Sequence, residues 1–301
     1  MKIQRRQFLE RSLAGIGGLL LGGRISSAQE VKSKPVDPYG TVTLGNTGIK
    51  MSRFCLGTGM RGGNRQSDHT RMGKEKFDTL VRGAYDRGVT VFDLADLYGT
   101  HPYLMPALQG IPREKFTIFT KIWWRPGGIP EKERPDADVV VTRFLKEIKT
   151  DYLDLVLLHC VESANWPEQL RKQMDILEDL KSKKIIRAHG VSCHSLAALQ
   201  AAAKEPWVES VHARNNPTQA TMDGPPEQVA PLLKAIHDAG KGVVGMKLIG
   251  EGRYRNSDEL RDNSVRYVLG LGCVDILDVG CESLAEVDDF ASRVKSVSGK
   301  A

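Results

Sequence analysis

The sequence predicts one α/β domain built as a (β/α)8 barrel, with an N-terminal β-hairpin plugging its lower end. Three observations predict it. Eight short apolar segments recur along the chain, stretches of helical spacing separate them, and chemistry-bearing residues stand at the ends of consecutive apolar segments. At 301 residues the chain has the length of one large barrel or of two ordinary domains.

The elements follow in order. Thr41-Val42-Thr43-Leu44, the turn residues Gly45-Asn46-Thr47-Gly48, and Ile49-Lys50-Met51 read as a hairpin. Apolar strands are expected over 54–56, 90–93, 116–120, 153–158, 185–191, 208–213, 242–246 and 274–279. Between them Phe77, Leu80, Val81, Ala84 and Tyr85 repeat at the spacing of one helix face, as do Leu170, Met174, Leu177 and Leu180. Further helices are expected near 137–149, 195–204, 227–239, 258–270 and 283–294. The rival is a doubly wound sheet with a glycine-rich turn after its first strand. Leu56-Gly57-Thr58-Gly59-Met60-Arg61-Gly62-Gly63 only approximates that turn, and no acid stands at the spacing that binds a ribose.

In a barrel of this kind the loops after the strands form the active face. Asp93 ends the second strand and Tyr98 follows it, Lys121 ends the third, and His159 ends the fourth. Neighbouring strands lie ~4.8 Å apart, so these side chains converge. A lone tyrosine, with a pKa of about 10, is a poor proton shuttle. A nearby ammonium favours its phenolate, a carboxylate holds that ammonium, and an imidazole orients a substrate oxygen. The set suits a carbonyl that receives hydride from a nicotinamide and a proton from Tyr98.

The same residues carry a resemblance. Phe92-Asp93-Leu94-Ala95-Asp96-Leu97-Tyr98-Gly99, Thr120-Lys121, and the run from Asp151 to His159 are similar to the acid-and-tyrosine, lysine and histidine segments of aldo/keto reductases. Gly190-Val191-Ser192 matches the segment after strand five, and the opening hairpin resembles the family's plug. The resemblance spans about 41–295 and implies an NAD(P)-dependent oxidoreductase interconverting an aldehyde or ketone with an alcohol. It implies Tyr98 as general acid, tuned by Lys121 and Asp93, with His159 orienting the carbonyl. The alternative is a non-catalytic barrel of the same family that binds a ligand or partner.

Family analogy places the cofactor, NADP or NAD, against Ser192, Cys193, Met246, Lys247, Gly280, Cys281 and Ser283. Several of these depart from the usual pattern. Cys193 stands where asparagine is common, Met246-Lys247-Leu248 replaces a stacking tyrosine, and Val211 and His212 lie nearest the place of a glutamine. Gly280-Cys281-Glu282-Ser283 offers backbone N–H groups to phosphate at a helix N-terminus. The arginine expected for the 2′-phosphate of NADP falls at Glu286, and a nearby asparagine at Phe290. Trp123, Trp124, Arg125 and Trp166 follow the lysine and histidine strands and are expected to wall a substrate pocket.

The N-terminus reads as an export signal over 1–28, with a linker over 29–40 and the barrel over 41–301. Gln4-Arg5-Arg6-Gln7-Phe8-Leu9 resembles a twin-arginine signal, followed by a weakly apolar run and Ser26-Ser27-Ala28. That run falls short of the ~20 apolar residues of a membrane span. The expected location is periplasmic or secreted, by way of the twin-arginine export machinery. The net charge of +6 is largely the leader's, which holds five basic residues and one acid; 38 basic and 36 acidic residues remain. Such a balanced surface carries no footprint for nucleic acid. The expected partner is a small carbonyl or alcohol substrate.

The five cysteines include no Cys-x-x-Cys pair, so no zinc or redox motif is expected. Most read as core residues, with Cys193 and Cys281 in loops near the site. His101, His189, His194 and His212 are not expected to form a metal cluster.

Overall fold

The computed structural model describes residues 35–297. The segment read as an export signal lies outside the described residues, as does the first part of the linker. Residues 35–40 are tied to the body of the protein: Val36 N–H donates to Val297 O at 3.0 Å and Phe54 N–H to Pro38 O at 2.8 Å.

Strands β1 (Thr41–Thr43) and β2 (Lys50–Ser52) pair antiparallel around a 3-10 turn at Gly45–Thr47. Eight parallel strands then close a barrel in sequence order: β3 (Phe54–Gly57), β4 (Val91–Asp93), β5 (Thr117–Ile122), β6 (Leu153–Val161), β7 (Ile186–Cys193), β8 (Ser210–Arg214), β9 (Gly242–Met246) and β10 (Ile276–Gly280). β10 pairs with both β9 and β3 and completes the ring. This is the (β/α)8 barrel that the sequence predicts, plug included.

The outer layer comprises α1 (Asp68–Arg71), α2 (Lys74–Asp86), α3 (His101–Ala107), α4 (Ala137–Ile148), α5 (Trp166–Gln169), α6 (Arg171–Ser182), α7 (Leu196–Lys204), α8 (Pro226–Asp238), α9 (Asp258–Gly270) and α10 (Leu284–Ser296). The long helices match the periodic segments. The short helix α3 escapes the periodicity because Pro102 and Pro106 interrupt it. Proline costs little in a first turn, and the second one falls just before the helix stops.

Strand side chains alternate between two hydrophobic cores. Outward residues such as Leu56, Phe92, Ile118, Val156 and Val191 pack against the helices. Inward residues Cys55, Val91, Phe119, Leu155, Leu157, Ala188, Val244 and Ile276 fill the barrel, and Leu44, Ile49 and Met51 of the plug join them. The fit there is close. A Cβ at Gly242 would lie 2.4 Å from Leu44 Cγ, so only glycine at the foot of β9 admits the plug leucine.

Candidate functional site

Two residues above that apolar floor, the same inward parity delivers polar groups. Val91 is followed by Asp93, Phe119 by Lys121, Leu157 by His159, and Ile276 by Asp278. Asp93 and Lys121 are fully enclosed. Lys121 Nζ donates to Asp93 Oδ2 and, at 3.1 Å, to Leu94 O. Burial by itself would neutralise both. Burial raises the Asp93 carboxyl, but the Lys121 cation and His212 more than offset it, and the group ends below its ordinary value. Burial likewise lowers Lys121, and the Asp93 charge reverses that shift. The pair stays ionised.

Tyr98 comes from a 3-10 turn at Asp96–Tyr98, just beyond β4. Its ring is packed by the loop after β3: a Cβ on Gly59 would lie 2.3 Å from two ring carbons, and one on Gly62 2.6 Å from another. Those glycines serve the tyrosine rather than a dinucleotide turn. Lys121 Nζ lies 5.0 Å from the ring centroid, and Tyr98 Oη lies 3.4 Å from His159 Nε2. The ammonium pulls the phenol pKa down as the sequence predicts. Burial outweighs it, so the phenol ends above its ordinary value and keeps its proton. His159 sits at a bulge where β6 slips register between Leu158 and Val161. Burial first, then Lys121, holds its imidazole neutral.

Around His159 the carbonyl oxygen accepts from Trp124 Nε1 at 2.7 Å, and the Trp123 ring stands edge-on at 5.4 Å. Trp123 and Trp124 therefore border the site. Trp166 does not: it is completely buried, with Nε1 donating to Ala198 O at 3.2 Å under the helices.

On the other side of Tyr98 lies a cavity of about 290 Å³. Met246, Lys247 and Gly280 line it, beside Gly57, Gly59, Asp93 and Asp278. Ser192 is enclosed with Oγ unpartnered among the described residues. Cys193 faces the opposite way, into the core between barrel and helices, because it is one residue out of phase with Ser192. Cys281 is buried as well, and its carbonyl accepts from His69 Nε2 at 2.8 Å. Neither cysteine lies in a loop open to the cavity. Ser283 caps α10, with Oγ accepting from Glu286 N–H at 3.3 Å.

Glu286 is equally engaged. Its carboxylate accepts from Glu282 N–H at 2.7 Å and from Arg255 Nη2 at 2.9 Å, and Arg255 also pairs with Glu282. One N–H expected to face a phosphate is thus taken by the protein itself. Phe290 packs edge-on against Phe54 with ring centroids 4.9 Å apart.

Two groups of side chains offer ligand-type atoms within 4.8 Å of one another, a proximity that the histidine spacing does not reveal: His159, Cys160 and His194, and Asp93, His212 and Asp278. Neither is set for an ion. Arg214 donates to His194 Nδ1, which leaves the proton on Nε2, the nitrogen 3.4 Å from Cys160 Sγ. In the second group Lys121 already neutralises Asp93.

Asp278 is the residue that pattern reading missed. The signal was an acid at inward phase within the apolar run Ile276-Leu277-Asp278-Val279.

The family model described as "Aldo/keto reductase family" matches residues 53–269, which hold the whole ion-paired site. The chain belongs to the aldo/keto reductase family. Like that family, it is an oxidoreductase that interconverts a carbonyl and an alcohol with a nicotinamide dinucleotide. It is similar to two aldo-keto reductases of Alternaria alternata. AFTS1 is 26% identical over 259 residues, covering 75% of this chain and 69% of that protein. AMT2 is 24% identical over 287 residues, covering 85% and 75%. Among solved structures, a putative aldo-keto reductase from Pseudomonas aeruginosa superposes with a TM-score of 0.69 at 21% identity, covering 89% of this chain and 98% of that one. That likeness concerns the barrel fold alone.

Removing one partner of the enclosed ion pair strands the other charge. Lys121→Ala is expected to destabilise this reductase by about 3–5 kcal/mol in urea unfolding. Lys121→Met combined with Asp93→Asn should recover most of that loss.

Proposed function

We propose that Tyr98 donates the proton to the carbonyl oxygen during reduction, while His159 Nε2–H orients that oxygen. The observation that carries this reading is the 3.4 Å approach of Tyr98 Oη to His159 Nε2, two neutral groups within reach of a single oxygen atom. Lys121, over the tyrosine ring, stabilises the phenolate left behind, and Asp93 keeps Lys121 charged. Alcohol oxidation runs the same steps in reverse.

The residues fit a nicotinamide dinucleotide. The cavity reaches Tyr98, glycines line it, and Ser192 Oγ is a buried polar atom awaiting a partner. The bound cofactor supplies the hydride. Met246, Lys247 and Gly280 would hold it along the cavity wall.

We infer that NAD is preferred over NADP. Glu282 and Glu286 place two carboxylates at the start of α10, and Arg255 is already committed to both. A phosphomonoester there meets repulsion, whereas ribose hydroxyls find acceptors. Glu286→Arg should strengthen NADPH binding by at least about tenfold, read by fluorescence titration. An unchanged NADPH affinity would remove Glu286 from cofactor selection.

Tyr98→Phe should reduce kcat by about 10²–10⁴-fold with 4-nitrobenzaldehyde as probe, while NADH affinity stays near that of the wild type. Normal turnover by this variant would end the proton-donor assignment.

We also propose that the protein is exported folded to the periplasm or beyond. The support is the order Arg5-Arg6, Phe8-Leu9, apolar run and Ser26-Ser27-Ala28. A cofactor made in the cytoplasm then travels inside the folded chain. Replacing both arginines by lysine should retain the protein in the cytoplasmic fraction; unaltered fractionation would rule this route out.

A further inference from the structure

Beneath the site lies a group of buried polar atoms that the proton step, as described, does not use. Asp93 spends Oδ2 on Lys121, but its Oδ1 has no hydrogen-bond partner among the described residues. The same holds for Asp278 Oδ1 and for both ring nitrogens of His212. These three side chains converge within 4.8 Å, with His212 Nε2 3.5 Å from Asp93 Oδ1. With no hydrogen bond between the two carboxyls among the described residues, they are coupled through their charges across this short gap. Asp278 and Asp93 both border the cavity.

We propose that Asp278 is a positioning residue for the proton step: beside His212 and within 4.8 Å of Asp93, its carboxyl sets the charge beneath Tyr98 by holding or releasing its own proton. It acts through Asp93 and touches no reacting atom. The inference rests on Tyr98 being the proton donor.

The charges around Asp278 determine what its proton does. Cys55 faces it from β3, Asp93 from β4, Lys121 from β5, His212 from β8 and Lys247 from the end of β9. Burial, then the Asp93 charge, pushes its carboxyl up to about 8, and burial keeps His212 neutral. While Asp278 keeps its proton, one carboxylate balances the one ammonium below the tyrosine. Ionisation adds a second negative charge, which raises the Tyr98 phenol further and weakens it as an acid. Carbonyl reduction should therefore decline as pH passes about 8.

The test uses Asp278→Asn, which keeps the shape and fixes the neutral form. With saturating NADH and 4-nitrobenzaldehyde, wild-type kcat should fall across that limb, and the limb should disappear or move up by at least about one pH unit in Asp278→Asn. A structural role alone would lower kcat at every pH and leave the limb in place. Infrared difference spectra should show a protonated-carboxyl band that titrates near 8 in the wild type and is lost in Asp278→Asn.

Stability supplies a third readout. A carboxyl whose folded pKa is raised stabilises the fold fully below its ordinary value, and that contribution is lost as pH rises through the folded pKa. Wild-type Tm relative to Asp278→Asn should therefore fall as pH rises from about 4 to about 8. An unmoved limb in Asp278→Asn, or a wild-type carboxyl band that does not titrate, overturns the proposal. If the variant fails to fold, the wild-type infrared titration still decides. The same band should persist in Tyr98→Phe, so a failure of the proton-donor reading is told apart from a failure of this one.

Discussion

The ion pair between Lys121 and Asp93 is the constraint on which the active face depends. Two charges in a nearly dry interior are tolerated only because each is the other's principal partner and Leu94 O takes a further ammonium hydrogen. The pair therefore dictates where β4 and β5 end relative to each other. It also places a fixed cation 5.0 Å from the tyrosine ring centroid. Tyr98 and His159 remain neutral beside it because burial penalises charge on both; Lys121 reinforces this at His159 and opposes it at Tyr98.

Barrel closure makes this arrangement possible. Parallel strands in register raise successive inward residues to a common height, so the layer above an apolar floor is filled by side chains from several strands at once. Leu44, Ile49 and Met51 seal the lower end, leaving the upper face as the accessible one. The glycines after β3 let their loop lie directly on Tyr98, which explains both its burial and its retained proton.

The two sides of Tyr98 differ in character. Toward His159 the surroundings are aromatic, from Trp123 and Trp124. Toward α10 they are charged, with Arg255 bridging Glu282 and Glu286 across the end of the cavity.

The sequence by itself determined the barrel, the plug, the long helices and the four residues Asp93, Tyr98, Lys121 and His159. Those features follow from local periodicity and from chemistry placed at strand ends. The proline-interrupted α3 escaped for the same reason, since proline erased its period. Tertiary structure alone decided that Cys193 and Trp166 belong to the core, that Glu286 is bound to Arg255, and that Asp278 and His212 meet beneath Asp93. Asp278 lies 185 positions from Asp93 in the chain. The physical reason is that burial and pairing between distant residues arise only when the ring of strands closes, and no local pattern encodes that proximity.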